Sequence, residues 1–345
     1  MELPGEKLVI KLWETLTEKG IGSLLTPWHV KREGRARIEV RRDELLMLAQ
    51  AEIDAADIRA GRKQVRKDGA LVLASPIDPS AIRVASPNEA RVEPTLGLPD
   101  VMKSAEMCFA VDQARREINS TKAILFAEDQ LAGDSQTPPN RQVEEDWLHA
   151  WKEYAGRVAA EDLQKLWGSV LAGEIKSPGR YSMRTMEFLK TLSKAEAEVI
   201  CRLARYSIDG GIARSQMTYL EANGINFGLL LRMQDLGILS GVEAVGLSTN
   251  HKSMDRAKFI KALISNGKAL IVEHEDPDKT LKLEVYLLTE VGVQIFGLGS
   301  FEPDIEYLTL VGKKIAAQGF KVLLCDWRQL SESEGQYFNQ VPIDA

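Results

Sequence analysis

Four histidines are the side chains of this chain best suited to acid–base or metal chemistry, and they are scattered. His29, His149, His251 and His274 lie in unrelated contexts, and none has a second ligand at the spacing of a helical or hairpin metal site. The glycine-rich stretches lack the Gly-Lys-Ser/Thr that a phosphate loop needs. A cysteine or serine paired with a distant histidine leaves a hydrolase open, but no spacing favours one. The sequence therefore predicts no catalytic residue, no metal site and no cofactor.

An apolar segment followed by a cluster of cations is the group with the clearest binding potential. Its members are Trp13, Leu24, Leu25, Trp28, Lys31, Arg32 and Arg35. Apolar insertion with a tryptophan at the interface and cations behind it is typical of a membrane-surface helix, and the same cations could bind phosphates. A solvated helix face, paired with nearby acids such as Asp43 and Glu44, is the alternative. We predict that this segment docks on a partner protein or a membrane surface.

Composition limits the classes of protein to consider. The chain has 345 residues, of which 44% are hydrophobic and 27% charged, as in ordinary globular proteins, and it is long enough for roughly two or three cores. A net charge of −6 makes nucleic acid an unexpected partner for the surface as a whole. Cys108, Cys201 and Cys325 are far apart, which predicts buried free thiols in a reducing cytoplasm. No apolar stretch reaches the about 18 residues that span a bilayer, so we expect a cytoplasmic protein, with peripheral attachment to the inner membrane left open.

A helical core organises the middle of the chain and must position any site there. Trp147 and Trp151 recur at helical spacing, Trp167 lies on a second helix, and Pro178-Gly179 ends that helix. Ser182 is placed to cap the next helix, and Ser193 with Glu196 has the form of a capping box.

The Pro-Gly turn is flanked by two opposite charges. Glu174 and Arg184 lie ten residues apart on either side of it, with Thr185 beside the arginine. We predict a partly buried ion pair between them that fixes the corner between two successive helices.

A longer set of residues carries a resemblance to a known family. The set comprises Asp146-Trp147-Leu148, Trp167, Leu171-Ala172-Gly173-Glu174-Ile175, Pro178-Gly179 and Ser182-Met183-Arg184-Thr185, with Gly34-Arg35-Ala36-Arg37 and Leu48-Ala49-Gln50-Ala51-Glu52 before them. It resembles a bacterial domain-of-unknown-function family over most of residues 4 to 205. More distantly, it is similar to the abortive-infection alpha family linked to phage resistance. The resemblance implies a role in phage defence or mobile-element biology and brings no catalytic residue with it.

Four segments follow from the distribution of helix formers and breakers. Residues 1–67 are predicted to hold an amphipathic helix over 5–18 and a long basic helix over 28–67, and residues 68–99 a proline-rich linker or extended arm. Residues 100–206 form the helical signature domain, beginning with a helix over 100–131. That helix is predicted to lie in a hairpin inside the fold, and a self-associating coil, hence a homo-oligomer, is the alternative. Residues 207–345 form an α+β domain.

The order of elements in this last segment resembles a winged-helix domain. Two helices surround a turn at Gly224, and a strand over 283–287 follows after an insertion, leading to a helix capped by Thr289. Asn226, Arg232 and Gln234 would read bases from the helix over 227–236, but that helix offers a single cation. Lys252, Arg256, Lys258 and Lys261 in the wing keep nucleic-acid binding as an alternative.

The predicted fold is mainly α with a C-terminal α+β part: long N-terminal helices, a helical core and a winged-helix-like C-terminal domain. The first hypothesis for function is a non-enzymatic interaction or effector protein, acting in phage defence or mobile-element biology through its N-terminal segment and an unknown protein partner. The second is a winged-helix nucleic-acid-binding regulator. An unrecognised hydrolase ranks third.

Overall fold

The structure is a computed structural model that describes two compact units, residues 1–180 and residues 181–345. The described residues are 5–20, 50, 53–54, 57–58, 62–65, 71–73, 98–134, 136–244, 248–253, 255–329 and 335–344. Most of the predicted docking segment lies outside them, namely Leu24, Leu25, Trp28, Lys31, Arg32 and Arg35.

The first unit is mainly helical. Its helices are α1 (Glu6–Glu18), α2 (Leu98–Ala132), α3 (Glu145–Arg157) and α4 (Glu161–Lys176), and α2 packs against the other three. Two short strands, β1 (Lys63–Val65) and β2 (Leu71–Leu73), pair antiparallel. The long helix predicted over 28–67 is therefore wrong at its end, because residues 63–65 find cross-strand partners at 71–73 that override helix propensity.

Apolar spacing decides which face of each helix is buried. In α1, Leu8, Leu12 and Leu16 are fully buried, as their helical spacing predicts. In α2 the apolar face is buried at Val111, Ile118 and Leu125, whereas Ala105 and Cys108, nearer its start, are exposed.

The prediction of three buried thiols is correct only for Cys325. Cys108 and Cys201 are exposed, because each lies on a helix side that no other described element covers.

Tryptophans fill the contact between α2, α3 and α4. Trp147, Trp151 and Trp167 are at most 4% exposed, and the Trp151 indole N–H donates to the carbonyl of Trp167 at 2.9 Å. Gly168 lets α4 approach α2 closely, since a Cβ there would lie 2.8 Å from Cβ of Phe126. These signature residues are core residues, as the sequence predicts.

The second unit begins with helices and continues as antiparallel sheets. The helices are α5 (Met183–Thr191), α6 (Lys194–Ala204), α7 (Met217–Ala222), α8 (Phe227–Asp235), α9 (Glu290–Phe296) and α10 (Ile305–Ala316). Ser182, Ser193, Asn226 and Thr289 cap α5, α6, α8 and α9 through their side chains, and the capping box of Ser193 is complete. The helices α5 and α6, which the sequence pattern groups with the helical signature, thus fall in this unit.

Two sheets complete the second unit. The first has the order β3-β4-β9-β5, built from β3 (Ser207–Ile208), β4 (Gly211–Ala213), β5 (Leu239–Ser240) and β9 (Leu281–Leu288), and β6 (Ser248–His251) pairs with the start of β9. The second has the order β11-β10-β8-β7, built from β7 (Phe259–Ser265), β8 (Lys268–His274), β10 (Lys321–Gln329) and β11 (Gly335–Ile343). The prediction of helices joined to a C-terminal α+β part is confirmed, since helices and antiparallel sheets coexist here.

Candidate functional site

A cleft of about 560 Å³ opens in the second unit where three helix ends meet. The start of α5, the end of α8 and the start of α9 line it. Its apolar walls are Met183, Phe188, Leu236 and Val291, and its charged residues are Arg184 and Glu290. A concave site with apolar walls and few polar groups is the usual form of a binding site. Two residues of the sequence signature, Met183 and Arg184, thus line the candidate site.

The first wall is fixed by a glutamine that sequence reasoning missed. Gln294 of α9 accepts hydrogen bonds through Oε1 from the amide of Ser182 at 2.9 Å and from the hydroxyl of Thr185 at 2.5 Å. Thr185 is fully buried, and Ser182 Oγ also accepts from the amide of Thr185 at 3.3 Å. The start of α5 is therefore held by its own cap and by α9, and the signature threonine is structural.

The opposite wall is fixed by Thr289. Its hydroxyl donates to the carbonyl of Gly237 at 2.5 Å and accepts from the amide of Gly292 at 3.0 Å. Its amide donates to the carbonyl of Ile238 at 3.0 Å. Only glycine fits at position 292, because a Cβ there would lie 2.2 Å from the carbonyl oxygen of Ile238. The end of α8 and the start of α9 are consequently one rigid piece.

Two side chains on the rim of the cleft face solvent. Met183 is 45% exposed and Arg184 is exposed, because Thr185 turns inward and leaves the two preceding positions on the outer side of the helix. Within the described part of the second unit, no hydrogen bond or ion pair engages the Arg184 guanidinium. Across the cleft, Glu290 accepts from Gln294 Nε2 at 3.3 Å. Within the described part of its unit, the rim thus offers a cation without an ion-pair partner beside a flexible apolar side chain.

The side chains proposed to read bases are bound within their own unit. Asn226 Oδ1 accepts from the amide of Leu229 at 2.9 Å as the cap of α8. Gln234 Oε1 accepts from the amide of Val242 at 2.7 Å. Arg232 faces Glu196 at 3.7 Å and is the helix's one cation. Two of the three candidates therefore brace the fold rather than project from it.

Of the four cations predicted to lie in a wing, two face acids. Lys258 lies 3.5 Å from Glu273, and Lys261 lies 3.5 Å from Asp209. Lys252 and Arg256 are exposed. Two cations are few for a surface that must neutralise several phosphates.

A hydroxyl, an imidazole and a carboxylate come together where β6 meets the turn between β3 and β4. Thr249 Oγ1 lies 3.0 Å from His251 Nε2, and His251 Nδ1 lies 3.5 Å from Asp209 Oδ2. Burial lowers the pKa of His251, while Asp209 opposes that change. The order is that of a hydrolase triad.

Its geometry favours a structural role. The 3.5 Å separation from Asp209 is long for a hydrogen bond, and Lys261 shares the same carboxylate oxygen. Thr249 Oγ1 also donates to the carbonyl of Leu283 at 3.4 Å. The cluster therefore joins β6 and β7 to the turn between β3 and β4, and its parts are too distant in sequence to have been predicted.

Two residues of the first unit depart from their predicted roles. Trp13 is 5% exposed and packs inside the unit, so its predicted place on a docking surface is wrong: it shares the buried face of α1. Glu174 is 2% exposed, and its Oε1 accepts from the amide of Gly179 at 2.5 Å. This hydrogen bond explains why Glu174 and the Pro178-Gly179 turn occur together in the sequence signature. The ion pair with Arg184 would join the two units and stays a prediction.

In the described ranges, no group of three or more histidine, cysteine, aspartate or glutamate side chains is placed to hold a metal ion. Among the helices described, none is both long and apolar enough to cross a membrane.

Comparison with known proteins gives a family similarity but no activity. No curated protein and no solved structure matches the chain. The match that exists covers α2 from Ala105 onward, α3, α4 and the first two helices of the second unit, and it includes the buried tryptophans, Glu174 and Thr185. Residues 105–216 are similar to the family described as protein of unknown function (DUF2806).

Proposed function

We propose that this is a non-enzymatic binding protein whose second unit is a winged-helix-like module that engages a partner protein. Its support is the order of elements from α6 to β9. The helix α6, the strands β3 and β4, two helices about a turn at Gly224 and the strands β5 to β9 follow one another. β9 lies between β4 and β5 in the sheet, so the last strand closes the module. The hairpin of β7 and β8 is an insertion at the wing.

The side chains of α8 are the reason for proposing a protein partner rather than a nucleic acid. In a helix-turn-helix protein, the second helix enters the major groove and presents free polar side chains and cations. Here Asn226 and Gln234 hold the backbone of their own unit, and Arg232 lies near an acid. The cleft beside the end of α8 has apolar walls instead. Protein binding is therefore the function that this geometry supports best.

Nucleic-acid binding is kept as the second candidate because of the wing. Lys252 and Arg256 are exposed there, at the place where a winged helix contacts the phosphate backbone. Fluorescence anisotropy with labelled duplex DNA at roughly physiological salt tests it. We expect no binding tighter than the roughly micromolar, salt-sensitive affinity of non-specific contacts. Nanomolar binding lost in a Lys252→Glu, Arg256→Glu variant would favour the regulator.

Position-specific photo-crosslinking tests protein binding directly. A photoreactive residue at Met183, 45% exposed on the cleft rim, is expected to give one discrete protein adduct in cells. The matched control carries the same residue at Ile305, 42% exposed at the start of α10 in the same unit. Equal adducts at both positions, or none at either, would contradict the proposal.

Phage defence or mobile-element biology is the proposed setting, together with docking by the predicted N-terminal segment without Trp13. The support is the resemblance of the signature residues to a phage-resistance family. Plaque counts on cells with and without the protein test this setting. We expect fewer plaques on cells that contain the wild-type protein. Removing the Met183 and Arg184 side chains should abolish this protection. Unchanged plaque numbers across a broad phage panel would count against it.

A further inference from the structure

We infer that the cleft between α5, α8 and α9 binds a segment of a partner protein that places one large apolar side chain beside a carboxylate. This inference rests on the proposed function and names the chemistry of the partner. The occupant is defined by three properties of the cleft: its apolar floor, its unpaired cation and its rigid frame.

The floor accepts an apolar side chain. Phe188, Leu236 and Val291 supply carbon surface, and Met183 on the rim adjusts to different shapes. The volume of about 560 Å³ is large enough for one or two side chains. Removing a leucine or phenylalanine from water strengthens binding by roughly 10- to 150-fold. Methionine and arginine are also both enriched in protein interfaces relative to the rest of the surface.

The charges select a carboxylate. Arg184 is exposed, and no residue in the described part of its unit forms an ion pair with it. Glu290 also lines the cleft, but in the described part of the unit its carboxylate makes no ion pair with Arg184 and accepts from Gln294 instead. A guanidinium binds a carboxylate through two parallel hydrogen bonds. A nucleic-acid backbone fits poorly, because one cation stands against the Glu290 carboxylate, whereas phosphate chains require several cations.

The frame makes the site ready to bind. Gln294 holds the start of α5 through Ser182 and Thr185, and Thr289 holds the end of α8 through Gly237. Little backbone ordering is left for the moment of binding, so it subtracts little from the affinity of the apolar contact. We therefore expect the carboxylate of the partner to determine specificity and its apolar side chain to determine affinity.

A charge-swap experiment on the full chain tests the inference. The probe is an array of nine-residue peptides that contain Leu-Asp or Leu-Glu, with matched peptides carrying Leu-Lys. Wild-type protein is expected to prefer the acidic peptides at least tenfold. Arg184→Glu should reverse that preference toward the Leu-Lys peptides. The control variant is Arg202→Glu, an exposed arginine of α6 outside the cleft, which should keep the wild-type preference.

The outcomes separate this inference from the proposed function. No preference for acidic peptides, or equal losses in Arg184→Glu and Arg202→Glu with unchanged melting, would overturn the inference. If the Met183 crosslink still traps a protein in that case, the binding function stands and only the occupant is wrong. If wild-type protein dimerises in sedimentation and Arg184→Glu abolishes the dimer, the occupant is a second copy, which also overturns the inference.

Discussion

The hydrogen bond between Glu174 and Gly179 gives the sharpest prediction for the first unit. The carboxylate is 2% exposed and accepts from the Gly179 amide at 2.5 Å. Glu174→Ala leaves that amide without its acceptor, which costs about 1–3 kcal/mol, and removal of a charged acceptor lies at the upper end. We therefore expect a loss of about 2–3 kcal/mol. Glu174→Gln keeps an acceptor oxygen but loses the charge, so about 1 kcal/mol is expected.

Urea unfolding followed by tryptophan fluorescence measures these losses. Trp147, Trp151 and Trp167 are buried in the same unit and report on it. A loss of about 2–3 kcal/mol corresponds to a lowering of the melting temperature by roughly 5–10 °C for a unit of this size. Equal stability of Glu174→Ala and wild type would refute the reasoning.

A double-mutant cycle decides between this bond and the ion pair predicted from the sequence. Because Arg184 is exposed, Arg184→Ala alone is expected to change stability by less than about 0.5 kcal/mol. The double variant with Glu174→Ala should then equal the sum of the two. A coupling energy above about 1 kcal/mol would establish the ion pair instead.

Three further predictions concern the remaining features. Gly292→Ala should destabilise the second unit by more than about 2 kcal/mol in thermal melts, because its Cβ would overlap a carbonyl oxygen 2.2 Å away; an unchanged melt would contradict the close approach. Burial lowers the pKa of His251 below 6.5, so the unfolded chain binds the proton first and stability should fall as pH drops below about 6.5 toward the folded pKa. A tenfold difference in proton affinity between the folded and unfolded states corresponds to about 1.4 kcal/mol. Thermal melts above and below this pH should show that His251→Gln loses less stability on acidification than wild type does. Equal losses of stability in the two proteins would refute this. Replacing Trp28 by Ser and Lys31, Arg32 and Arg35 by Glu should abolish co-sedimentation with anionic vesicles or a partner while circular dichroism stays unchanged; an unfolded variant, or wild type that binds neither, would end the docking hypothesis.

Short sequence patterns correctly predicted the helix ends and buried side chains that depend on residues close together in the chain. The end of α4 follows from the Pro-Gly turn, and the starts of α5 and α6 follow from the caps Ser182 and Ser193, since each cap acts within three residues. The burial of Trp147, Trp151 and Trp167 follows from helical spacing. In these cases one short stretch of sequence contains both partners of the interaction.

The parts that sequence reasoning missed depend on distant partners. The cleft joins residues near 183, 236 and 290, and Gln294 reaches back to Ser182, so no single stretch contains the site. The alternation in β7 and β8 resembles an ordinary hairpin, and pairing of β8 with β10 is fixed only by strands that lie about fifty residues apart. Exposure of Cys108 and Cys201 depends on which helix faces find a neighbour, and an apolar pattern alone does not specify that.

The central position of β9 has a consequence for the order in which the second unit can form. β4, β5 and β6 all pair with this one strand, although they precede it by between 30 and 70 residues, roughly. β4 can pair earlier with β3, but among the described strands β5 and β6 pair only with β9, so they join the sheet only after residues 281–288 have been synthesised, and long-range pairing of this kind is slow. The helices α7 and α8 are therefore made well before the sheet that supports them. Leu230 and Met233, which are fully buried in the folded unit, are therefore synthesised before the strands that complete the sheet.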